Sequence, residues 1–173
     1  MTSRSINIET LLRRLTSEST SYYIEQKEIA TRSQTDGHIL YSRYKKFEGT
    51  ATATLIKQHI SKDISLAIPL NKNNFLFEYS GEHTLAFASL LFYIAKEFSI
   101  NTLLITSYSF SGISIYLGTS EYNSNTIGDF IEKVTRVLKE KLPNEWQLLP
   151  RKNIPEIGNL LKLPREIIPF NSI

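Results

Sequence analysis

A carboxylate and a hydroxyl stand close together at the end of one apolar segment. The segment "NFLFEYS" (74–80) has the pattern of a short buried strand, and it carries Glu78 and Ser80 just before the polar turn "GEH". Side chains two residues apart on a strand point to the same face, so these two should share a site. Carboxylates at strand ends often hold metal ions, because hard divalent cations take carboxylate oxygens as ligands. Serine supplies no charge, so Glu78 is the one carboxylate that this pair could give to such a site.

A basic cluster elsewhere has the chemistry to hold an anion. On an extended strand, Arg43 and Lys45 would share a face, where a guanidinium and an ammonium can grip phosphate groups. The alternative is a solvated strand edge whose lysines prevent pairing with another sheet. The cluster lies in "SRYKKF" and comprises Arg43, Tyr44, Lys45 and Lys46.

Histidine spacing argues against a metal centre. His38, His59 and His83 are 21 and 24 residues apart, so none has the i, i+4 spacing of a helical ligand pair. We expect each at the surface or at a strand end, and we predict no bound metal and no cofactor.

The segments that must position these residues show helical and strand periodicities. Helical spacing of apolar residues predicts four helices: 7–17, 49–60, 83–98 and a last one around Ile127–Leu138. Helix 83–98 is apolar almost all round, so it should be buried on most of its surface. Aromatic and β-branched residues predict a hairpin of 22–30 with 38–44 across "RSQTDG", strands at 64–70 and 74–80, and a hairpin of 102–109 with 112–118. Mixed order of this kind predicts an α+β fold, with helices packed on a mostly antiparallel sheet.

Length and composition limit the possible classes of protein. The chain has 173 residues, 41% of them hydrophobic, no cysteine, a net charge of +3 and a pI near 9.0. Absence of cysteine excludes disulfides and thiolate chemistry, and we see no signal peptide or membrane span, which predicts a cytoplasmic protein with no membrane association. We expect an N-terminal amphipathic helix and linker (1–20) and one domain (21–173).

Apolar residues of the first helix predict a contact surface. Leu11, Leu12 and Leu15 form a stripe that either the domain's own sheet or a partner must cover, and we predict a partner interface there. Trp146 stands in the polar segment "PNEWQLLPRK", where an aromatic residue is typical of either a core or a subunit interface.

Several segments, in the same order, resemble motifs of the catalytic small subunit of archaeal and eukaryotic DNA primase. "GHILYSRYKKF" is similar to a segment with an arginine and an aromatic residue near the nucleotide, and "NFLFEYS" to the strand with two metal-binding aspartates. "SFSGISIYLG" (109–118) is similar to the hairpin whose serine and histidine handle the incoming triphosphate, and "GNLLKLPREI" (158–167) to a segment near the catalytic C-terminal border. The resemblance covers residues 28–167.

The resemblance implies a primase small-subunit-like, RRM-related fold in which the catalytic groups are lost. Glu78 and Ser80 occupy the metal positions, so one of two carboxylates remains. Ser111 and Ser114 occupy the triphosphate positions, and Ser114 stands where the family has its histidine. The resemblance therefore implies a degenerate metal site and a degenerate triphosphate site.

A primase-like fold without catalytic groups resembles the non-catalytic X subunit of the heterotrimeric crenarchaeal primase. That resemblance implies an accessory subunit whose partners are the primase large subunit and the catalytic small subunit. It also implies binding of nucleoside triphosphate or DNA template when primer synthesis begins. The residues implied in nucleotide or phosphate binding are Arg43, Tyr44, Lys45, Lys46 and Lys162.

Two alternatives belong to other classes. In the first, the chain is a diverged, active primase–polymerase in which Glu78, Glu82 and Asp129 rebuild the metal site. In the second, it is an RRM-like module that binds single-stranded nucleic acid on sheet aromatics. "FLFEY" is apolar on both faces except at Glu78, which disfavours the second alternative.

Overall fold

The chain forms an α+β structure of two compact units. The structure, a computed structural model, describes residues 6–173. Unit 1 contains the described residues up to 70 together with 151–167, and unit 2 contains 71–150 and 168–173. The amino-acid sequence predicts one domain over 21–173, because composition does not change at the short polar segment "NKN" beside the break at residue 70.

The described residues form four α-helices and ten strands, together with two short 3₁₀ turns. The helices are α1 (Ile8–Ser17), α2 (Ala53–Ile60), α3 (Thr84–Glu97) and α4 (Ser124–Lys141). The strands are β1 (Ser21–Glu25), β2 (Thr31–Thr35), β3 (His38–Ser42), β4 (Tyr44–Glu48), β5 (Leu66–Pro69), β6 (Asn74–Tyr79), β7 (Leu103–Ser109), β8 (Gly112–Gly118), β9 (Trp146–Leu149) and β10 (Leu160–Lys162). All four predicted helices are present, and no described helix is long and apolar enough to cross a membrane.

Polar side chains set the starts of three helices. The side chains of Asn7, Thr52 and Asn123 accept hydrogen bonds from backbone N–H groups three residues later, at 2.8, 3.3 and 2.9 Å respectively. Each bond satisfies one of the N–H groups that a helix leaves without an internal partner. In the alternating "TATAT" (50–54), Thr52 therefore caps α2 and the next two residues begin the helix, so the segment does not form a strand.

Unit 1 is built on a four-stranded antiparallel sheet in the order β10-β5-β1-β4. Helix α1 contacts α2, and α2 contacts β5. Strands β2 and β3 form a separate hairpin. The predicted pairing of 22–30 with 38–44 is therefore wrong, because β1 pairs with β4 and β5, and only Asp36 and Gly37 form the turn between β2 and β3.

Unit 2 has the chain order β-α-β-β-α-β, formed by β6, α3, β7, β8, α4 and β9. Its antiparallel sheet has the order β7-β8-β6-β9, so the first and third strands are central, as in ferredoxin-like and RRM folds. Helices α3 and α4 pack on one face of this sheet. Phe77 lies edge to face with Phe130 of α4 at 6.4 Å between ring centroids, and Tyr79 stacks on Phe87 of α3 at 4.9 Å.

Helix α3 is less buried than its composition predicts. Its inner face, which includes Phe87 and Leu91, is fully buried, but Leu85 and Tyr93 are 54% and 66% exposed. The expectation that this helix is buried on most of its surface is therefore wrong. One face is enough to complete the core of unit 2, so the outer apolar residues remain at the surface.

Candidate functional site

A polar cleft lies on the face of the unit 2 sheet opposite α3 and α4, and we call it the unit 2 cleft. Its volume is about 460 Å³. Because side chains alternate along a strand, Phe77 and Tyr79 point into the helix-packed core while Glu78 points into the cleft. Five serines also line it: Ser80, Ser107, Ser109, Ser111 and Ser114.

One row of polar side chains crosses all four strands of this sheet. The strand register places Ser107 beside Ser114, Ser114 beside Glu78, and Glu78 beside Gln147. The Gln147 amide donates a hydrogen bond to Oε2 of Glu78. Neighbouring strands are about 4.8 Å apart, so the row extends for about 14 Å across the sheet, and adjacent members such as Glu78 and Ser114 are close enough to share one ligand.

The sequence-predicted residues of two separate motifs thus meet in one place. Glu78 and Ser80 come from the end of β6, and Ser111 and Ser114 come from the β7–β8 hairpin and β8. Gly112 allows this approach, because a Cβ atom at this position would lie 2.1 Å from the carbonyl oxygen of Tyr79. Its φ of +136° also favours glycine.

A second carboxylate, Glu145, lines the cleft from the loop before β9. The Tyr79 hydroxyl donates to Oε2 of Glu145 at 2.9 Å, and the Ser80 N–H donates to the Glu145 carbonyl oxygen at 2.9 Å. Burial raises the pKa of Tyr79, and its bond to Glu145 adds to the rise, so the hydroxyl stays protonated as a donor. Gly81 leaves room for this contact, since a Cβ there would lie 2.3 Å from the Glu145 carboxylate.

The charge of the cleft is negative. Glu78 and Glu145 are the acidic residues of its lining, and the residues that line the cleft, all within the described chain, include no lysine, arginine or histidine. No three His, Asp or Glu side chains of residues 6–173 come together as metal ligands. The cleft is therefore an acidic, hydroxyl-rich site in a chain of net charge +3.

The carboxylates of the active-enzyme alternative do not assemble with Glu78. Glu82 lies in the turn before α3 and is not part of the cleft lining. Asp129 is exposed on α4, which packs on the opposite face of the sheet. Within the described residues, the second carboxylate of the cleft is instead Glu145.

The basic residues proposed to bind phosphate lie in unit 1 and have partners there. Arg43 directly precedes β4 and forms an ion pair with Glu25. Arg43 and Lys45 are both exposed, on either side of the buried Tyr44. Lys45 lies over the Phe47 ring at 5.6 Å. The Arg43–Lys45 strip stays a prediction, and the charge of Arg43 is already paired with Glu25.

Lys46 and Lys162 make contacts of a different kind. Lys46 contacts Glu156 at 3.0 Å, and the Tyr23 hydroxyl donates to the same carboxylate. Burial opposes ionisation of Glu156, but these two hydrogen bonds prevail and lower its pKa. Lys162 lies over the Tyr44 ring at 6.0 Å, and burial of that ring raises the pKa of Tyr44. Nucleotide binding at these residues stays a prediction.

The residues predicted to contact a partner are partly covered by the chain itself. Leu12 is completely buried, while Leu11 and Leu15 are half-buried. Trp146 is half-buried and packs against the core of unit 2. Part of the surface of Leu11 and Leu15 is therefore accessible for the predicted partner contact.

The sequence pattern did not indicate the burial of His59 or the positions of Glu145 and Gln147 at the cleft. His59 is 1% exposed, so the expectation of a surface position is wrong; α2 places it on the inner side of its helix. Glu145 and Gln147 reach the cleft because β9 pairs with β6, a contact between residues more than 60 positions apart. Recognition of the β-α-β-β-α-β order would have predicted that pairing.

Comparison with known proteins covers only part of the chain. Residues 9–76 match a family described as a domain of unknown function, DUF1882. The match is less than half of the chain and ends within β6, before Glu78. No curated protein matches the sequence.

Proposed function

We propose that this chain is a non-catalytic accessory subunit of a DNA primase complex that supports the start of primer synthesis in the cytoplasm. The observation that supports the proposal is the convergence of Glu78 and Ser80 with Ser111 and Ser114 in the unit 2 cleft. These residues come from the two motifs that resemble the metal strand and the triphosphate hairpin of the primase small subunit. They meet on the sheet of an RRM-type topology.

A non-catalytic role is supported by the carboxylates of the cleft. Glu78 accepts a hydrogen bond from Gln147, and Glu145 accepts one from Tyr79. Neither partner is a cation, and the pair has no third acidic or histidine ligand among the described residues. Two-metal transfer needs ligands for both ions. An accessory subunit needs only to bind and orient a ligand for its catalytic partner.

Reconstitution with the primase large and catalytic subunits tests the proposal. We expect a tagged chain to purify with both subunits from co-expressing cells. Adding the chain to the two-subunit enzyme should raise dinucleotide formation more than primer extension. Failure to associate, or an equal effect on both activities, would contradict the proposed role in initiation.

The isolated chain provides a second test. We expect no template-directed incorporation of labelled nucleotide above background with Mg²⁺ or Mn²⁺. Incorporation that disappears in Glu78→Ala but survives in the α4 control Asp129→Ala would establish an active polymerase centred on the cleft instead.

Single-stranded nucleic-acid binding is a second candidate, and the topology of unit 2 favours it. RRM domains bind bases on the two central strands of the same β-α-β-β-α-β sheet. Here β8 provides one central aromatic residue, Tyr116, and the cleft beside it is polar. Fluorescence anisotropy with labelled oligonucleotides tests this candidate. If bases stack on the sheet, Tyr116→Leu should weaken oligonucleotide binding at every ionic strength. If the association is purely electrostatic, Tyr116→Leu should bind as tightly as the unmodified chain.

A further inference from the structure

The unit 2 cleft has the size of a site for a small ligand. Protein ligand sites typically have volumes of about 300–1,000 Å³ with a few polar groups that fix orientation. The cleft, at about 460 Å³, falls in this range. Its polar groups form an ordered row, Ser107, Ser114, Glu78 and Gln147, which the strand register fixes.

The charges of the cleft oppose a triphosphate. Glu78 and Glu145 are its charged residues, and no cationic side chain lines it within the described chain. Phosphate sites in proteins use arginine, lysine or backbone N–H groups at helix starts. Bringing several phosphate charges beside two carboxylates would be repulsive, so the phosphates of a bound nucleotide must lie outside the cleft.

The same groups suit the hydroxyls of a sugar. A carboxylate only accepts hydrogen bonds, whereas serine hydroxyls both donate and accept. Oε2 of Glu78 accepts a hydrogen bond from Gln147, so Oε1 of Glu78 can accept one from a ligand hydroxyl. Ser114 lies beside Glu78 on β8 and can take part in the same contact. Carboxylates are the usual partners of ribose hydroxyls in dinucleotide sites.

The β7–β8 hairpin, which contributes serines to the cleft, also carries an aromatic residue. Phe110 is at the tip of this hairpin, and its side chain is fully exposed and is not part of the cleft lining. Its two neighbours in sequence, Ser109 and Ser111, both line the cleft. A fully exposed ring offers a surface on which a nucleobase stacks.

We infer that the unit 2 cleft binds the ribose and base of a nucleoside, with Glu78 and Ser114 on the sugar hydroxyls and Phe110 against the base. The cleft does not hold the phosphates. The inference rests on the proposed function, from which the ligand is taken to be a nucleotide. It assigns the serines of the β7–β8 hairpin to the sugar, whereas the resemblance assigns them to the triphosphate.

Calorimetric titration of the full chain with adenosine, 2′-deoxyadenosine and ATP tests this inference. We expect adenosine to bind more tightly than ATP at equal ionic strength, and 2′-deoxyadenosine to bind more weakly than adenosine. Loss of a hydrogen bond to a charged group changes affinity by about tenfold or more, so Glu78→Gln should weaken adenosine binding by about that factor. The same substitution should weaken ATP binding by a smaller factor, because the lost hydrogen bond to the ribose is partly offset by removal of a negative charge near the phosphates.

Two further variants guard against misfolding. Ser114→Ala and Phe110→Ala should each weaken adenosine binding, and Glu132→Gln on the exposed side of α4 should leave it unchanged. Circular dichroism melting establishes that the variants are folded. Spermidine serves as a competing probe, because an acidic cleft that takes any cation would bind it more tightly than adenosine.

Three outcomes overturn the inference: ATP binding that is tighter than adenosine binding and weakened by Glu78→Gln, spermidine binding in preference to adenosine, or no saturable binding of adenosine. The result is separable from the proposed function. A chain that joins the primase subunits but does not bind adenosine refutes only the inference. A chain that binds adenosine without joining them refutes only the accessory role.

Discussion

At the scale of single residues, His59 is held in one protonation state by its hydrogen bonds. Its Nδ1 accepts from the Leu66 N–H at 3.1 Å, so Nε2 carries the proton and donates to the Leu163 carbonyl oxygen at 3.1 Å. Burial lowers the pKa of His59, and the nearby positive charge of Arg165 lowers it further. A second proton on Nδ1 would break the bond to Leu66.

This arrangement predicts a pH-dependent stability. The unfolded chain titrates His59 near pH 6.5 and the folded chain at lower pH, so the unfolded state binds more protons between these values. The stabilisation is complete above pH 6.5 and is lost as the pH falls through the folded pKa. The free energy of unfolding, measured with urea, should therefore fall between pH 7.5 and pH 5. His59→Gln should reduce this dependence on pH, while His38→Gln, at an exposed site, should preserve it. An unchanged pH dependence of stability in His59→Gln would contradict the assignment of this effect to His59.

Asn159 makes a two-bond clamp where the chain re-enters unit 1. Its Oδ1 accepts from the Arg151 N–H at 2.8 Å, and its Nδ2 donates to the Arg151 carbonyl oxygen at 2.9 Å. Asn159→Asp keeps the shape but replaces the donor by an oxygen that faces this carbonyl. We expect a loss of about 2 kcal/mol in the free energy of unfolding, since a buried acceptor loses its partner. The exposed control Asn153→Asp should change stability by less than about 0.5 kcal/mol.

At the scale of elements, two glycines of unit 2 should respond to alanine in opposite directions. Gly112 starts β8 at positive φ, and its Cβ would collide with Tyr79, so Gly112→Ala should lower the free energy of unfolding by more than about 2 kcal/mol. Gly128 lies inside α4 with no atom within 4 Å of its Cβ position, so Gly128→Ala should raise it by about 0.5–1 kcal/mol. Thermal melting monitored by circular dichroism measures both. Equal effects would show that β8 can move away from β6.

Local sequence pattern predicted the elements well and their partners poorly. The α4 helix follows from residues such as Phe130 and Val134, because helical periodicity and capping act within a few residues. The partner of β1 was mistaken, because the pairing of Tyr23 with Lys46 depends on the whole sheet and not on the nearest turn. For the site, Glu78 and the hairpin serines were identified, but Glu145 was not, since its role depends on a distant strand pairing.

At the scale of the whole molecule, the chain leaves unit 2, completes unit 1, and returns. The last residues, 168–173, belong to unit 2, where Ile168 forms a β-bridge with Ile105 and the Phe170 ring lies 4.9 Å from that of Phe92. These contacts add an apolar strap to the core formed by residues 71–150.

Removal of the terminal aromatic contact should destabilise unit 2. Aromatic pairs contribute about 0.5–1.5 kcal/mol beyond the area they bury, so Phe170→Ala should lower the unfolding free energy of unit 2 by about 1–2 kcal/mol. Trp146, the one tryptophan of the chain, lies in β9 and reports on this unit by fluorescence during urea unfolding. Asn171→Ala, at the adjacent exposed position, is the matched control. An unchanged midpoint for Phe170→Ala would show that the terminal segment contributes nothing to the unit.

The position of β10 in the unit 1 sheet has a consequence during synthesis on the ribosome. Strand β5 is complete at Pro69, but its neighbour on one side, β10, begins only at Leu160. At translation rates of about 5–20 residues per second, roughly 5–20 s separate the two strands. Throughout that interval the nascent chain carries β5 with one unpaired edge, at which other nascent chains could add a strand.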